Sequence, residues 1–243
     1  MKIAITGGLI DENKKILKAF LKQWPNYLTP KDTIYDNDIK WPENDKDLEK
    51  LKESLNPIEQ ILFAKVILMN NQYDKYAEQK NMIYLGSPLD VLANTLLYSE
   101  KGFLSDIFVE KIFYYTKKLV KKFDAIYWRP DFDLKDKKTK DDEEISDDDK
   151  LEMIFNNIYE NYHNHLEESV IFDKEDCPGV LPFDSDNYIA EFKYILDEKG
   201  NLLDDDVGLQ DTDKLFKLLG NNEKLKEAAK IGLAKDKNST IKI

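Results

Sequence analysis

The chain has 243 residues, of which 42% are hydrophobic and 35% are charged, and its formal net charge is −12. This length and apolar content are sufficient for one well-packed domain with a small appendage. An acidic surface repels nucleic acids and anionic membranes, and the basic residues form no stripe, so we expect no nucleic-acid partner. No apolar run approaches the roughly twenty residues of a membrane span, so we expect no membrane partner either. The single cysteine excludes a disulfide framework and suits the reducing cytoplasm, which is the predicted localisation.

The N-terminal segment has the order strand, glycine turn, helix. Residues 2–6 form a short apolar run that predicts a buried strand, and Gly7 and Gly8 then allow a sharp turn. From Ile16 to Trp24 the apolar residues recur at helical spacing. In this context, backbone N–H groups at a helix N-terminus bind phosphate in many proteins.

The residues after this turn match a phosphate-binding P-loop only in part. The motif G-x-x-x-x-G-K-[ST], started at Gly8, has Asn13 at the second glycine, Lys14 at the lysine and Lys15 at the magnesium-binding hydroxyl. The candidate nucleotide-binding residues are therefore Gly7, Gly8, Lys14 and Lys15. The alternative is that both lysines are solvated residues of an amphipathic helix. The two acidic residues before Asn13 place negative charge where a triphosphate would lie, which suggests that the protein itself fills the anion site.

The middle of the chain alternates polar segments with amphipathic ones. Residues 31–56 are polar and irregular, whereas Pro57 suits the first turn of a helix that continues at helical spacing to Tyr73. A second strand is predicted over 81–85, followed by a turn over 86–88 and by helices over 89–98 and 103–122.

Ser87 and Asp90 follow this second strand and are candidates for the lining of an acceptor pocket. An ordinary helix start explains the same residues, with Ser87 as the N-cap and Pro88 at the first helical position. Both interpretations stay open at the level of sequence.

A third strand is predicted over 124–128, and a strongly charged segment follows it. Residues 133–150 are almost entirely Lys, Asp and Glu, a composition that cannot bury apolar surface, so we predict a charged lid at about 130–150. Arg129 and Lys140 are the candidate lid residues, although Arg129 is equally compatible with a plain surface position. Beyond the lid we predict a helix over 151–166, a strand over 169–172, a loop over 173–186 and short helices over 212–219 and 222–233.

Other polar motifs do not support a site. His163 and His165 are two residues apart on a predicted helix and do not face each other, so they are not expected to share a metal. The acidic run lacks the glycine and the terminal glutamate of an EF-hand. Cys177 lies between Asp176 and Pro178, where the acidic neighbour disfavours a reactive thiolate. The residues by themselves identify no metal site and no catalytic group.

The alternation of strands and longer helices predicts an α/β fold with a parallel sheet covered on both faces. Ligands of such sheets bind at the carboxyl ends of the strands. The segments that follow residues 6, 85, 128 and 172 all lie at such ends, so we expect them to converge on one cleft.

Several short segments, taken in their order along the chain, resemble the AAA-like P-loop ATPases of phages and bacteria, a nucleoside and nucleotide kinase-like family. The segments are residues 3–7, 18–27, 83–84, 88–90, 123–127, 174–178 and 197–200. The resemblance implies a three-layer P-loop nucleotide kinase-like fold with a parallel sheet, a charged lid and a C-terminal extension. Residues 1–172 would form the core with its lid, and residues 173–243 the extension packed on it.

The resemblance also implies ATP-dependent phosphoryl transfer to a nucleoside or nucleotide, with ATP and Mg²⁺ as cofactors. The sequence departs from the family at each catalytic part. In an ungapped match, Asn13 stands where the P-loop lysine belongs and Lys14 where the hydroxyl belongs. Leu85 and Gly86 replace an Asp-Arg pair, and lysines such as Lys140 replace the lid arginine that would clamp a phosphate with two hydrogen bonds.

The leading hypothesis is therefore a degenerate, kinase-like protein of phage type that lacks phosphotransfer activity and is kept as a binding, regulatory or structural component. An active nucleoside or nucleotide kinase with non-standard site residues is the first alternative, and ATP and Mg²⁺ are cofactors only in that case. An acidic interaction protein that engages a host partner is the second. The candidate partners are accordingly a nucleotide, another protein or a second copy of the chain.

Overall fold

The computed structural model describes residues 1–36, 38–42, 46–128, 146–164, 178–183, 187–201 and 203. These residues form four strands and seven helices. The strands are β1 (Lys2–Thr6), β2 (Met82–Leu85), β3 (Ala125–Trp128) and β4 (Gly179–Pro182). The helices are α1 (Ile10–Gln23), α2 (Lys46–Ser54), α3 (Pro57–Lys75), α4 (Pro88–Glu100), α5 (Asp106–Val120), α6 (Asp147–Asn164) and α7 (Tyr188–Phe192).

The strands form one parallel sheet in the order β2-β1-β3-β4, so the predicted parallel α/β architecture is confirmed. In the register of the sheet, Ile3 lies opposite both Ile83 and Ala125. Because β1 lies between β2 and β3, the residues after it lie between the carboxyl ends of two neighbouring strands. The glycine turn is therefore at the centre of the edge where parallel sheets bind their ligands.

Helices cover both faces of the sheet, which gives the three layers that the resemblance implied. On one face, Ile3 and Ile5 pack in a core cluster with Phe20 of α1 and Phe192 of α7. On the other face, Ala4 belongs to a larger cluster with residues of α3, α4, α5 and α6. Successive residues of β1 point to opposite faces, and the strand is almost wholly buried because both faces are covered.

The starts of α3 and α4 follow the chemistry predicted from the sequence. Asn56 caps α3 in a reciprocal box with Glu59, and Pro57 occupies the first turn. Ser87 caps α4 in the same manner with Asp90, with Pro88 at the first turn. The helix-start interpretation of Ser87 is therefore confirmed as local structure, independently of any further role at the site.

Three predictions are wrong: a helix and a strand were missed, and the start of α1 was placed too far along the chain. The segment over 31–56 contains a helix, α2, whose residues are all at least partly exposed, so its polar composition concealed it. The predicted loop over 173–186 contains β4, which lies at the edge of the described sheet, where its proline is tolerated. Helix α1 begins at Ile10, six residues before the apolar pattern that predicted it, because its first turn is largely solvated.

Residues near the end of the described chain accept hydrogen bonds from the segment that follows α1. The side chains of Trp24, Asn26 and Tyr27 donate hydrogen bonds to backbone carbonyls of Asp197, Lys199 and Gly200, with donor–acceptor distances of 3.0, 2.9 and 2.8 Å. Strand β4, helix α7 and this turn thus tie residues beyond position 172, the predicted boundary of the core, to the same sheet.

Several predicted elements lie outside the described residues. They include the strand over 169–172, the short helices over 212–219 and 222–233, and most of the charged segment. Of that segment, Asp147 to Lys150 form the first turn of α6, which Ser146 caps. Across the described ranges, no helix combines the length and the apolar character needed to cross a bilayer.

Candidate functional site

The glycine turn between β1 and α1 is much tighter than a P-loop. Only Gly7, Gly8 and Leu9 separate the strand from the helix, and Gly7 has a φ of 122°, a conformation that favours glycine. A P-loop places four residues between its two glycines and wraps them around a phosphate. Here the corresponding positions are already in the first turns of α1, so the loop does not have the length to surround an anion.

Asp90 closes the turn from the α4 side. Its carboxylate is 3% exposed and accepts hydrogen bonds from two backbone N–H groups and two hydroxyls. The donors are Gly7 N at 3.0 Å, Ser87 N at 2.6 Å, the Tyr35 hydroxyl at 2.6 Å and the Thr6 hydroxyl. A carboxylate has about four lone-pair positions, so Asp90 is saturated in this conformation. It joins the end of β1 and the segment that holds Tyr35 to the start of α4, and it leaves no lone pair for a substrate hydroxyl.

Burial raises the pKa of Asp90 above its ordinary value of 3.8, and the hydrogen bonds from Thr6, Tyr35, Gly7 and Ser87 act in the opposite direction. Burial also raises the pKa of the Tyr35 hydroxyl, and the charge of Asp90 raises it further. Tyr35 is therefore a neutral donor that stabilises the ionised form of Asp90. No pattern along the chain singled out Tyr35, which lies in the polar segment before α2 and reaches Asp90 only in the folded structure.

We expect Tyr35→Phe to raise the pKa of Asp90 further, since it removes one donor to the carboxylate. An acid whose pKa is higher in the folded state than in the unfolded state makes the free energy of unfolding fall as the pH rises from the unfolded pKa through the folded one. The urea unfolding series should run from about pH 2.5 to about pH 8, a range that spans the ordinary pKa of an aspartate and a raised one. Above pH 3.8 the variant should lose more stability than the wild type. Well below that pH the Asp90 carboxyl is protonated in both the folded and the unfolded state, and the two proteins should differ less.

The exposed Tyr114, changed to Phe, serves as the control and should leave this pH dependence unaltered. A Tyr35→Phe effect that is the same at every pH would contradict the proposed link between the hydroxyl and the charge of Asp90.

A second carboxylate closes the turn from the α6 side. Glu152 is 6% exposed, and its Oε1 accepts a hydrogen bond from Gly8 N at 3.1 Å. A Cβ added at Gly8 would lie 2.4 Å from that oxygen, so the carboxylate packs against the backbone at a distance that only glycine permits. Glu152 is 144 residues from Gly8 in sequence, and no local pattern identified it.

Asn13 of α1 binds the backbone of the turn through its side chain. Its side chain is 1% exposed, and its Nδ2 donates to the carbonyl oxygen of Gly7 at 3.1 Å. Its Oδ1 is buried and has no hydrogen-bond partner among the described residues. The residue that the ungapped match placed at the P-loop lysine is therefore a buried, neutral amide in this fold.

Lys14 and Lys15, the predicted phosphate-binding lysines, both lie on the exposed face of α1. Lys14 Nζ is 3.7 Å from Asp11 Oδ1, and Lys15 Nζ is 2.6 Å from Glu12 Oε1. The hydrogen bond from Lys15 to Glu12 raises the pKa of the lysine. The structure thus pairs both lysines with acids of their own helix, and it does not place them in the turn with Gly7 and Gly8.

Leu85 and Gly86, the positions where the resemblance implied an Asp-Arg pair, lie at and just after the end of β2. Gly86 has a φ of 92°, and its N–H donates to the carbonyl oxygen of Ile5 at 2.7 Å. The space beside its Cα is filled by Ile34, so no side chain projects into the site from this position. The other predicted acceptor and lid residues, Arg129 and Lys140, lie outside the described residues.

Lys65 of α3 is a basic residue near this cluster that the sequence did not single out as functional. It is half-buried, and burial lowers its pKa while the charge of Asp90 acts to raise it. The described site therefore contains the buried carboxylates Asp90 and Glu152, the buried amide of Asn13 and one partly buried ammonium group.

The arrangement of strands and helices is similar to that of solved nucleoside kinases. A deoxyadenosine kinase from M. mycoides, with products dCMP and a flexible dCDP bound, matches with a TM-score of 0.50 at 14% identity, over 76% of this chain and 90% of that one. The chain has a nucleotide kinase-like fold. Structures of deoxyadenosine kinase from the same organism with dATP and with dCTP match with TM-scores of 0.47 and 0.46, each at 16% identity and over the same shares of the two chains. No protein-family model matches this nucleotide kinase-like chain, and no curated protein does.

Proposed function

We propose that this chain is a degenerate, nucleotide kinase-like protein that does not transfer phosphate and acts as a binding, regulatory or structural component. One observation carries the proposal: the backbone N–H groups of Gly7 and Gly8 donate to the buried carboxylates of Asp90 and Glu152. In an active P-loop, the N–H groups of the glycine turn bind the phosphates of the nucleotide.

Electrostatics supports the same conclusion. A phosphate that approached Gly8 would meet the carboxylate of Glu152 in a site of low solvent exposure, where like charges repel most strongly. The two lysines predicted to bind phosphate do not offset this repulsion, because Lys14 and Lys15 pair with Asp11 and Glu12 on the exposed face of α1.

The residues present do not fit ATP with Mg²⁺. In neither register of the motif does a hydroxyl stand at the metal-binding position, because Lys14 or Lys15 occupies it. The nearest hydroxyl in sequence is that of Thr6. It donates a hydrogen bond to Asp90 and accepts one from the Ser87 hydroxyl. We therefore assign no step of phosphoryl transfer to these side chains.

Calorimetry and a phosphate-transfer assay with ATP, Mg²⁺ and a panel of deoxynucleosides and their monophosphates test the proposal. We expect no saturable binding of ATP·Mg²⁺ at millimolar concentration and no labelled product. Lys14→Ala should behave like the wild type, and so should Lys18→Ala, a control that removes an exposed lysine from the same helix. Phosphate transfer that Lys14→Ala abolishes and Lys18→Ala preserves would establish the active-kinase alternative instead.

A further inference from the structure

We propose that an exposed apolar patch at the start of α5 is the docking site of a segment of the same chain, residues 222–233. The patch consists of Phe103 and Ile107, which are 51% and 76% exposed, and is called the Phe103 patch below. This inference goes beyond the proposed function, because it concerns a surface outside the glycine turn and does not depend on whether the chain binds a nucleotide.

Acidic side chains accompany the Phe103 patch. Ile107 has the largest exposed fraction among the large hydrophobic side chains of the described residues. Glu100, Asp106 and Glu110 are exposed and lie within three residues of Phe103 or Ile107. None of these acids forms an ion pair within the described part of the chain. Exposed apolar side chains beside unpaired acids favour a partner that is both apolar and basic.

The lysines beside the patch are already engaged elsewhere. Lys101 forms an ion pair with Asp147 at the start of α6. Lys111 lies over the ring of Phe63, with its Nζ 5.8 Å from the centroid. The negative charge around the patch is therefore available to an incoming cation.

The backbone that carries the patch is held by hydrogen bonds to the start of α3. The carbonyl oxygen of Phe103 accepts from Asn56 Nδ2 at 3.0 Å, and the Glu59 carboxylate accepts from Ser105 N at 3.2 Å. Glu59 is itself 5% exposed. The two apolar side chains thus project from an ordered surface, and burying them requires another element to cover them.

The C-terminal part of the sequence has the complementary composition. Residues 214–243 contain eight lysines and three acids, a formal net charge of +5, whereas the rest of the chain has −17. The predicted helix over 222–233 places Leu225, Ala229 and Leu233 four residues apart, which puts them on one face, and it contains three lysines. A basic amphipathic helix of this kind binds an apolar surface with an acidic border.

The chain is long enough to bring this segment to the patch. The last described residue, Leu203, is three residues after Gly200, whose carbonyl oxygen accepts a hydrogen bond from Tyr27. Tyr27 precedes the bridge to the first residue of β2, and so lies toward the end of α3, whereas the patch is at the start of α3. The 19 residues of α3 extend over roughly 28 Å. Residues 204–221 span about 45 Å even with the predicted helix over 212–219 formed.

Tryptic cleavage within residues 222–233 of the full chain, followed by mass spectrometry, tests the proposal. A docked segment is cleaved only when it opens. We therefore expect cleavage at least about tenfold slower than in a synthetic peptide of residues 214–243. Ile107→Ser removes the apolar side chain and should raise the rate by about tenfold. The control is Leu28→Ser, which removes an exposed leucine toward the other end of α3 and should leave the rate unchanged.

Two further measurements use the charges. Glu110→Gln should raise the cleavage rate by a smaller factor, and its difference from the wild type should vanish in 0.5 M NaCl, roughly the concentration at which exposed charges are screened within a few ångströms. In the wild type, a carbodiimide that joins carboxylates to lysines should link residues 222–233 to Glu100, Asp106 or Glu110. This cross-link needs no variant, so it decides the matter even if Ile107→Ser unfolds.

Three results would overturn the proposal. Equal cleavage rates in the full chain and the peptide would show that the segment does not dock. Protection that Ile107→Ser leaves unchanged, or the absence of the cross-link, would show that it docks on another surface. Protection that increases with protein concentration, with cross-links between two chains, would mean that the patch binds a second copy and not its own segment.

Discussion

Asp90→Ala is expected to lower the free energy of unfolding by about 3–5 kcal/mol, because it removes the shared acceptor of four buried or partly buried donors. The two hydroxyl donors can rotate, and Tyr35 already lies 3.4 Å from the carbonyl oxygen of Gly7. The N–H groups of Gly7 and Ser87 cannot turn away and would stay unpaired in the interior. The variant also loses the carboxylate of the capping box at the start of α4.

Urea unfolding at neutral pH measures this effect. Asp106→Ala is the matched control: it removes an acid from the first turn of α5, but an exposed one, and should cost less than about 1 kcal/mol. Asp90→Asn keeps one carbonyl oxygen and should lie between the two. Equal losses in Asp90→Ala and Asp106→Ala would show that the network contributes nothing beyond an ordinary helix start.

This network bears on how the site is used. In a working acceptor pocket, a carboxylate at the end of a strand keeps a lone pair for the group it activates. Asp90 uses its lone pairs for β1, for the start of α4 and for the segment that holds Tyr35. The predicted acceptor residue therefore has a structural role in the described conformation, and any binding that the protein retains would depend on other groups.

The sequence predicted three of the four described strands and the start of α3, because these elements depend on local patterns. The apolar runs of β1, β2 and β3 and the start of α3 at Pro57 are each specified within a few residues. The order of strands and helices, together with a glycine pair after the first strand, was sufficient to indicate a parallel sheet. Helix α2 was missed although its leucines recur at helical spacing, because charged residues separate them.

The site was less predictable because its decisive contacts join distant parts of the chain. Glu152 and Gly8 are 144 residues apart, and Tyr35 and Asp90 are 55 apart. In a highly charged helix, a single sequence does not distinguish a glutamate that is buried in the fold from one that is exposed. The two acids before Asn13 suggested that the protein fills its own anion site, yet the carboxylates on the turn come from α4 and α6, while Asp11 and Glu12 pair with lysines of α1.

Gly86→Ala is expected to lower the free energy of unfolding by about 2–5 kcal/mol. Two costs add. A φ of 92° is strained for any residue with a Cβ, by roughly 1–2 kcal/mol. The new Cβ would also lie 2.5 Å from Cγ1 and 2.6 Å from Cδ1 of Ile34, a buried side chain that is 3% exposed, and such overpacking costs about 1–3 kcal/mol.

Gly102→Ala separates the two costs, because Gly102 has a φ of 72° and a Cβ there would meet no heavy atom within 4 Å. It should show the backbone strain alone, about 1–2 kcal/mol. Ile34→Ala combined with Gly86→Ala should lose less than the sum of the single variants, since removing Cγ1 and Cδ1 relieves the clash. Additive losses in this double-mutant cycle would contradict the packing argument.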